Sequence, residues 1–377
     1  MLVRNFPQCG RALVALIFSI FVGATVLGHP AWGIVVSSTG IVYFSDLETV
    51  WKIDRNGKVS VFRPGTSGHH VHELSIDGQG NIYGPIAVYD APTEKYLVGV
   101  GKMTPDGKES EVQQPVDSLM SGISIWRDAA GNMYSIEQNN NTKVRTLLLR
   151  RTPNGVVSIL AGSSYGHADG KGIAAQLGSV TAMTFGPDGN IYLTDGTGVR
   201  RVTLSGEVKT IAKDITARTA EDKPTLFGAN DKSIFGLTLD AGGNIFVADA
   251  GNRRVVRIAN DGRLDVVYRA DPPYFPTGVF ATNGDVYVLE FSFTPPGTTD
   301  KPRVRIISGN GQNRIIGSTG ITGTGIIVTR PSSYLRYRLR GLIDIITTPA
   351  SYFVLLIAAG AIGVTIVFWR RSRKQTT

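Results

Sequence analysis

The sequence predicts an all-β fold, a six-bladed β-propeller of four-stranded blades, with an apolar segment near each end of the chain. Three observations support this prediction. A glycine turn followed by an apolar strand occurs six times, each copy carries a second glycine turn, and successive copies begin 40 to 58 residues apart. A four-stranded unit repeated at this interval is typical of a propeller blade.

The turns define the strands of each copy. The first turn contains Gly40, Gly80, Gly131, Gly189, Gly243 or Gly284, and three residues later stands Tyr43, Tyr83, Tyr134, Tyr192, Phe246 or Tyr287. The second turn contains Gly57, Gly107, Gly155, Gly206, Gly262 or Gly311. Tight hairpin turns need positive φ, which glycine adopts without steric cost. Two hairpins per copy give four strands, so we expect the propeller to span residues 33–317.

The distribution of charge bears on the partners of the propeller. The formal net charge is +9, and all of it comes from ten arginine and lysine residues before residue 12 and after residue 329, against one aspartate there. Residues 12–329 are therefore neutral overall. This argues against a propeller that binds nucleic acid through its phosphates.

The apolar run at residues 11–28 follows two arginines and precedes the first blade. It is typical of a secretory signal peptide with a small-residue cleavage site near Gly28, or of an uncleaved N-terminal anchor. We assign residues 1–28 to one of these two. Either alternative places the propeller outside the cytoplasm, in a periplasm or at the cell exterior.

A second apolar run, residues 349–369, contains no charged residue. Its 21 residues are enough to span about 30 Å of hydrocarbon as a helix. Four basic residues within 370–377 follow it and indicate a cytoplasmic tail. The sequence thus predicts a single-pass protein that contacts the bilayer through residues 349–369. Residues 318–348 form the linker, and the three arginines within 334–340 are assigned to the bilayer surface or to the underside of the propeller.

Two stretches carry a family resemblance. Residues 236–258, GLTLDAGGNIFVADAGNRRVVRI, and residues 183–208, MTFGPDGNIYLTDGTGVRRVTLSGEV, resemble NHL repeats, and residues 161–180 resemble a segment frequent between bacterial NHL blades. The resemblance is closest in blades 4 and 5. It implies a six-bladed propeller but no particular activity, because NHL propellers include sensors, scaffolds and a few enzymes.

The two faces of the propeller differ in loop length. The glycine hairpins share one face, and the loops between the second and third strands share the other with the connections between blades. This long-loop face is expected to comprise residues 63–71, 109–121, 162–180 and 213–234, with insertions at 84–97 and 291–302. Since binding residues concentrate on long loops held by a rigid scaffold, we expect a protein, peptide or glycan ligand there.

Five blades carry an acidic residue six positions after the first turn glycine. These are Asp46, Glu137, Asp195, Asp249 and Glu290. One interpretation is structural, with each carboxylate accepting backbone N–H groups or a following arginine such as Arg253. The other is a ring of acids that binds a cation or a cationic partner.

Three of the five histidines are clustered where the chain enters the innermost strand of blade 2. They are His69, His70 and His72, followed by Glu73. In an extended segment His70 and His72 lie on one side, and His69 and Glu73 on the other. The alternatives are polar rim residues bonded to loops, a divalent metal or catalytic site at His70 and His72, and a pH sensor. A metal would need ligands from other blades, where His167 is the available histidine.

Six-bladed gluconolactonase-type hydrolases hold a metal at the channel mouth through acidic and asparagine ligands where the inner strands begin. The matching positions here are Trp32, His72, Ser121, Thr181, Phe235 and Thr277. Of these, His72, with Glu73 beside it, suits a metal. The sequence therefore favours a membrane-anchored binding module without a cofactor. The alternative is a metal-dependent hydrolase or lyase whose site lies near His70 and His72.

Overall fold

The computed structural model describes residues 30–66, 69–90, 95–117, 125–138, 143–222, 234–292 and 302–319. These residues form six antiparallel sheets, each built from one contiguous stretch of chain. The six-bladed propeller predicted from the glycine turns is confirmed. All the described residues belong to a compact unit within residues 1–321.

Blades 1, 3, 5 and 6 each consist of four consecutive strands, and blades 2 and 4 have a fifth strand. Blade 1 contains β1 (Ile34–Val36), β2 (Val42–Ser45), β3 (Val50–Ile53) and β4 (Val59–Arg63). Blade 2 contains β5 (His69–Val71), β6 (Ser75–Ile76), β7 (Ile82–Asp90), β8 (Lys95–Met103) and β9 (Glu109–Asp117). Blade 3 contains β10 (Ile125–Arg127), β11 (Met133–Gln138), β12 (Thr146–Arg151) and β13 (Val157–Ala161).

The second half of the ring repeats the pattern. Blade 4 contains β14 (Gly170–Lys171), β15 (Met183–Phe185), β16 (Ile191–Asp195), β17 (Gly198–Val202) and β18 (Glu207–Ala212). Blade 5 contains β19 (Ile234–Leu239), β20 (Ile245–Asp249), β21 (Arg254–Ile258) and β22 (Leu264–Arg269), and blade 6 contains β23 (Tyr274–Thr282), β24 (Asp285–Ser292), β25 (Arg303–Ile307) and β26 (Asn313–Ser318). Short 3₁₀ turns occupy Gly172–Ala174 and Ala250–Asn252.

Blades 2 and 4 depart from four strands. In blade 4, β14 comes from the connection after blade 3 and adds an outer strand to β18. In blade 2 the innermost strand is split, since β5 and β6 both pair with β7. The prediction of a loop insertion at 84–97 was wrong for most of its length, and so was that of a loop at 109–121. Their β-branched and aromatic residues pair instead, which extends β7 and β8 to nine residues each and forms β9.

The turn glycines have the conformation that the sequence predicts. All twelve have positive φ, between 73° at Gly189 and 89° at Gly155. The aromatic residue after the first turn serves the same hairpin in blades 2 to 4. Tyr134 donates its hydroxyl to Asp128 at 3.0 Å, and Tyr83 and Tyr192 make the same bond to the aspartate of their own turn. These bonds fix the hairpins at one face.

Apolar clusters lie between neighbouring blades. Buried residues from both partners form them at the interfaces of blades 1 and 2, 3 and 4, 4 and 5, and 5 and 6. A further cluster joins the first blade to the last and closes the ring, with Phe44 and Ile53 packed among Phe275, Leu289 and Phe291. Between blades 2 and 3, the Arg127 guanidinium lies 5.2 Å from the centre of the Tyr83 ring.

The predicted signal peptide or anchor and the predicted membrane helix at 349–369 both lie outside the described residues, as do the juxtamembrane arginines and the basic tail. Within the described part of the chain, no helix is long and apolar enough to cross a membrane.

Candidate functional site

An aromatic and histidine cluster lies where inner strands begin. We call His70, His72, Trp32 and Phe235 the axial cluster. The Trp32 ring stacks on Phe235 with centroids 5.5 Å apart and lies 5.4 Å from the His72 ring. His70 meets His72 edge to face at 5.7 Å. The sequence prediction that His70 and His72 share one side is confirmed.

Glycine permits the close approach that forms this cluster. Trp32 precedes β1 in blade 1, and its backbone N–H donates to the carbonyl of His72 at 2.9 Å. A Cβ at Gly278 of blade 6 would collide with the Trp32 carbonyl oxygen, and one at Gly33 would lie 2.9 Å from the Glu73 carbonyl carbon. Backbone segments of three blades therefore approach one another at distances that only glycine allows.

The remaining positions where the inner strands begin carry hydroxyl groups that bond to backbone. Thr181 donates to the carbonyl of Ile234 at 2.8 Å, and the buried Thr277 lies 3.4 Å from the carbonyl of Leu289. Ser121 lies outside the described residues. At the described positions this end of the inner strands presents aromatic rings, imidazoles and hydroxyls, and no carboxylate other than Glu73.

His69 lies on the opposite side of β5 from His70, as predicted. It lines a groove with Arg63 and Glu111, whereas His70 packs on His72. Burial lowers the pKa of His69, and the charge of Arg63 lowers it further. Burial also lowers the pKa of His70, followed by the effect of His69. Both shifts favour neutral imidazoles at pH 7.

His167, the histidine that a metal at blade 2 would need, has a partner of its own in blade 4. Its Nδ1 lies 3.1 Å from Oδ1 of Asp195, and its side chain is half exposed. Among the described residues, no three His, Cys, Asp or Glu side chains come together in a group that could hold a metal ion. The structure brings together two predicted ligands, His70 and His72, and places no described third ligand with them.

The acidic residues six positions after the first turn glycines, which we call the rim carboxylates, make contacts mostly within their own blade. Asp46 accepts the backbone N–H of Thr49 at 2.8 Å and the indole N–H of Trp51 at 2.7 Å. Burial raises the pKa of Asp46 despite these bonds. Glu137 pairs with Arg145. The buried Glu290 accepts from Tyr268 at 2.5 Å and from Arg303 at 2.6 Å.

In blades 4 and 5 the rim carboxylates form buried ion pairs. Asp195 accepts from Arg200 at 2.7 Å, and Asp249 accepts from Arg254 at 2.8 Å. The prediction of Arg253 as the partner of Asp249 was wrong. Arg253 has positive φ (55°) and donates instead to the carbonyls of Pro273 and Tyr274. Arg254 begins β21 opposite Asp249, so strand register decides the pairing.

A further buried acid, Asp222, was not predicted as part of the site. Arg254 bridges Asp249 and Asp222, with Nη1 2.6 Å from Asp222 Oδ2. The same arginine donates to the carbonyls of Ile215 and Ala217 at 2.9 Å. It thereby holds the first half of the long loop 213–234 against blade 5. The five-residue spacing from Asp195 to Arg200 and from Asp249 to Arg254 was the available sequence signal for these arginines.

Comparison with known proteins gives fold likeness only. No family model matches the sequence, and no curated protein is significantly similar to it. Solved structures with a similar chain path include a streptogramin B lyase, 18% identical over 77% of this chain and 84% of that one, with a TM-score of 0.47. Others are a virginiamycin B lyase from Staphylococcus aureus (18%; 78% and 85%; TM-score 0.46) and a gluconolactonase from Xanthomonas campestris (13%; 69% and 83%; TM-score 0.45). At these identities none of the three assigns an activity to this chain.

Proposed function

We propose that this chain is a membrane-anchored, extracytoplasmic propeller that binds a protein, peptide or glycan on its long-loop face. The proposed organisation has a signal peptide or anchor at 1–28, the propeller at 33–317, a linker at 318–348, a bilayer helix at 349–369 and a cytoplasmic tail at 370–377. The anchoring is supported by the hydropathy of 349–369 and the basic residues after it. The NHL resemblance of blades 4 and 5 is compatible with a binding module.

The observation that carries this proposal is the rigid attachment of the connection 162–180. The buried Gln138 exchanges hydrogen bonds with the backbone of Val180, at 2.6 and 2.8 Å. Thr146 donates to the carbonyl of Gly178 at 2.8 Å, and the Gly178 N–H donates to Asp195 at 2.7 Å. A loop fixed in this way loses little entropy when a ligand binds, which favours affinity.

The same connection presents a histidine and a tyrosine on the long-loop face. Ile173, although 71% exposed, lies beside the hairpins of the other face, because the N–H of Gly172 donates to the carbonyl of the turn glycine Gly206 at 2.9 Å. His167 is exposed beside the ring of Tyr165, with centroids 6.0 Å apart. Aromatic side chains on a preformed loop suit recognition of a protein or glycan surface.

The test uses the full chain in detergent on peptide and glycan arrays. Replacing Tyr165 and His167 by alanine should abolish the signal, since it removes the aromatic contacts and leaves the bonds of Gln138 and Thr146 intact. Leu204→Ala, an exposed apolar residue in a hairpin turn, is the matched control and should bind normally. Equal binding by the double variant and the unmodified chain would refute a ligand site on this connection.

A metal-dependent hydrolase or lyase is the second candidate, and the contact between the His70 and His72 rings favours it. Neutral imidazoles are metal ligands, and burial lowers the pKa of His70 toward that form. We expect purified full-length protein to contain no tightly bound transition metal. One zinc or iron per chain, lost in the His70→Ala, His72→Ala variant, would favour the enzyme instead.

A further inference from the structure

A groove lies between the connection from blade 1 to blade 2 and the sheet of blade 2. Its volume is about 340 Å³, within the range of sites for small molecules. Val71, Val100 and Met103 are almost fully buried where they line it, and Ile86 lines it beside them. The groove is separate from the connection 162–180, so a ligand in the groove is independent of the ligand proposed for that connection.

Two glycines maintain the shape of this groove. A Cβ at Gly101 would lie 2.6 Å from Cδ1 of Ile86, and one at Gly84 would lie 3.0 Å from Cγ1 of Val71. Any larger residue would displace the aliphatic side chains that line the groove. The two glycines thus let Ile86 and Val71 pack against the sheet, where these side chains form the apolar wall of the groove.

A buried arginine supplies hydrogen-bond donors to the groove. The side chain of Arg63 is 7% exposed; its Nε donates to Glu109 at 3.0 Å and its Nη1 to the carbonyl of Glu48 at 3.4 Å. A guanidinium carries five N–H donors in a planar fork. Among the described residues no hydrogen bond involves Nη2, which leaves its donors for a ligand in the groove that Arg63 lines. His69 lines the groove with Arg63.

The groove also carries negative groups. Glu109 is half exposed and Glu111 is exposed, and both line the groove together with Lys102. A ligand with only a carboxylate would be repelled by the two glutamates, and a ligand with only an ammonium group would be repelled by Arg63 and Lys102. A zwitterion presents one charge of each sign and matches both sets.

We propose that this groove binds a free α-amino acid with an apolar side chain. The carboxylate of the ligand accepts from Arg63 Nη2 and from His69. Its ammonium group donates to Glu109 and Glu111, and its side chain covers Val71 and Ile86. Charge-assisted bonds at both ends of the ligand set its orientation, and burial of its side chain adds affinity.

Calorimetry with the full chain in detergent tests the proposal, with leucine as the probe. Leucine should bind with one site per chain. N-acetyl-leucine lacks the ammonium group and leucinamide lacks the carboxylate, so each should bind at least about tenfold more weakly. No heat with leucine would overturn the proposal. So would equal affinity for either derivative, since one half of the charge recognition would then be missing.

Two variants locate the site. Glu111→Gln removes a negative charge that faces the ammonium group and should weaken the binding of leucine about tenfold. Val88→Phe, at a half-buried position lining the groove, should reduce binding by filling the space. Glu207→Gln, an exposed glutamate of blade 4, is the matched control and should bind leucine normally. Unchanged affinity in both groove variants, with both folded by circular dichroism, would place leucine elsewhere and overturn the proposal.

Discussion

At the scale of single residues, the rim of this propeller is held by buried charges that satisfy one another. Arg254 lies between Asp249 and Asp222, and all three side chains are at most 4% exposed. Removing one member of such a group leaves an uncompensated charge in a poorly solvated place, which costs far more than the pair contributes. This part of the site was only half predictable. The position of Asp249 follows from the repeat, whereas Asp222 lies in a loop without repeating spacing.

Arg254→Ala should lower the free energy of unfolding by about 3–5 kcal/mol, because Asp249 remains buried without its cation and Asp222 keeps only Arg269, whose Nε lies 3.5 Å away. The measurement is urea unfolding of the full chain, followed by circular dichroism. Arg201→Ala is the control, because its pair with Asp188 is about one third exposed on both sides and should be worth below about 1 kcal/mol. Equal losses in the two variants would contradict this role of Arg254.

The stability of the first hairpin of blade 3 depends on pH through Asp128. Burial opposes ionisation of its carboxyl, yet the hydrogen bonds from Asn132 and Tyr134 outweigh burial and hold its pKa below the ordinary 3.8. A carboxyl with a lowered folded pKa stabilises the fold above its unfolded pKa. That contribution is lost as pH falls below 3.8 through the folded pKa. Burial raises the pKa of Asp249, so the effect of that residue on stability has the opposite dependence on pH. The contribution of Asp128 is therefore measured by comparing the protein with a variant that lacks this carboxyl.

Asp128→Asn should cost about 1 kcal/mol at pH 7 and progressively less as pH falls below 3.8. Unfolding free energies of both proteins, measured from pH 7 down to pH 3, test this. Tyr134→Phe removes one of the bonds and should give an intermediate result. A difference between variant and parent that does not change with pH would show that ionisation of Asp128 contributes nothing.

At the scale of elements, the glycine turns specify the hairpins, and their spacing made the blades predictable. Blade 2 shows the limit of that approach. Residues 84–97 contain proline and charged residues at their centre, which favoured a loop, but their flanks pair through to Asp90 and Lys95. The pairing depends on which partner strand lies opposite, and one sequence does not contain that information locally.

Gly262→Ala separates backbone strain from crowding. At this turn φ is +83°, and an added Cβ would meet no atom within 4 Å. The variant should therefore lose about 1 kcal/mol from the left-handed conformation alone. Gly78 has equally open space and no positive φ, so Gly78→Ala should be neutral or slightly stabilising. Chemical denaturation of both variants gives the comparison, and equal stability would show that the turn does not require glycine.

At the scale of the whole molecule, the ring is closed by the contact of its first and last blades. Phe275, Leu289 and Phe291 of blade 6 pack with Phe44 and Ile53 of blade 1. The repeat count predicted this closure, because six sequential blades leave one interface to be made between the ends. The axial cluster was not predicted as a packed unit. It depends on Gly278 admitting the Trp32 backbone, a contact between distant parts of the chain.

Deleting residues 275–317 should destabilise the whole propeller rather than one sixth of it, since blades 1 and 5 would each lose a buried face. The expected product is aggregated or proteolysed, as judged by size exclusion and limited proteolysis. A soluble five-blade product with a cooperative melting transition would contradict a ring stabilised by closure.

Protease accessibility tests the central claim, an extracytoplasmic propeller anchored by residues 349–369, most directly. The full chain, with an epitope after residue 377, is produced in cells whose outer barrier is then opened without breaking the inner membrane. Added protease should digest the propeller and leave a small membrane-bound fragment that retains the epitope. A propeller that resists digestion until the inner membrane is lysed, with the epitope lost first, would contradict the proposed topology.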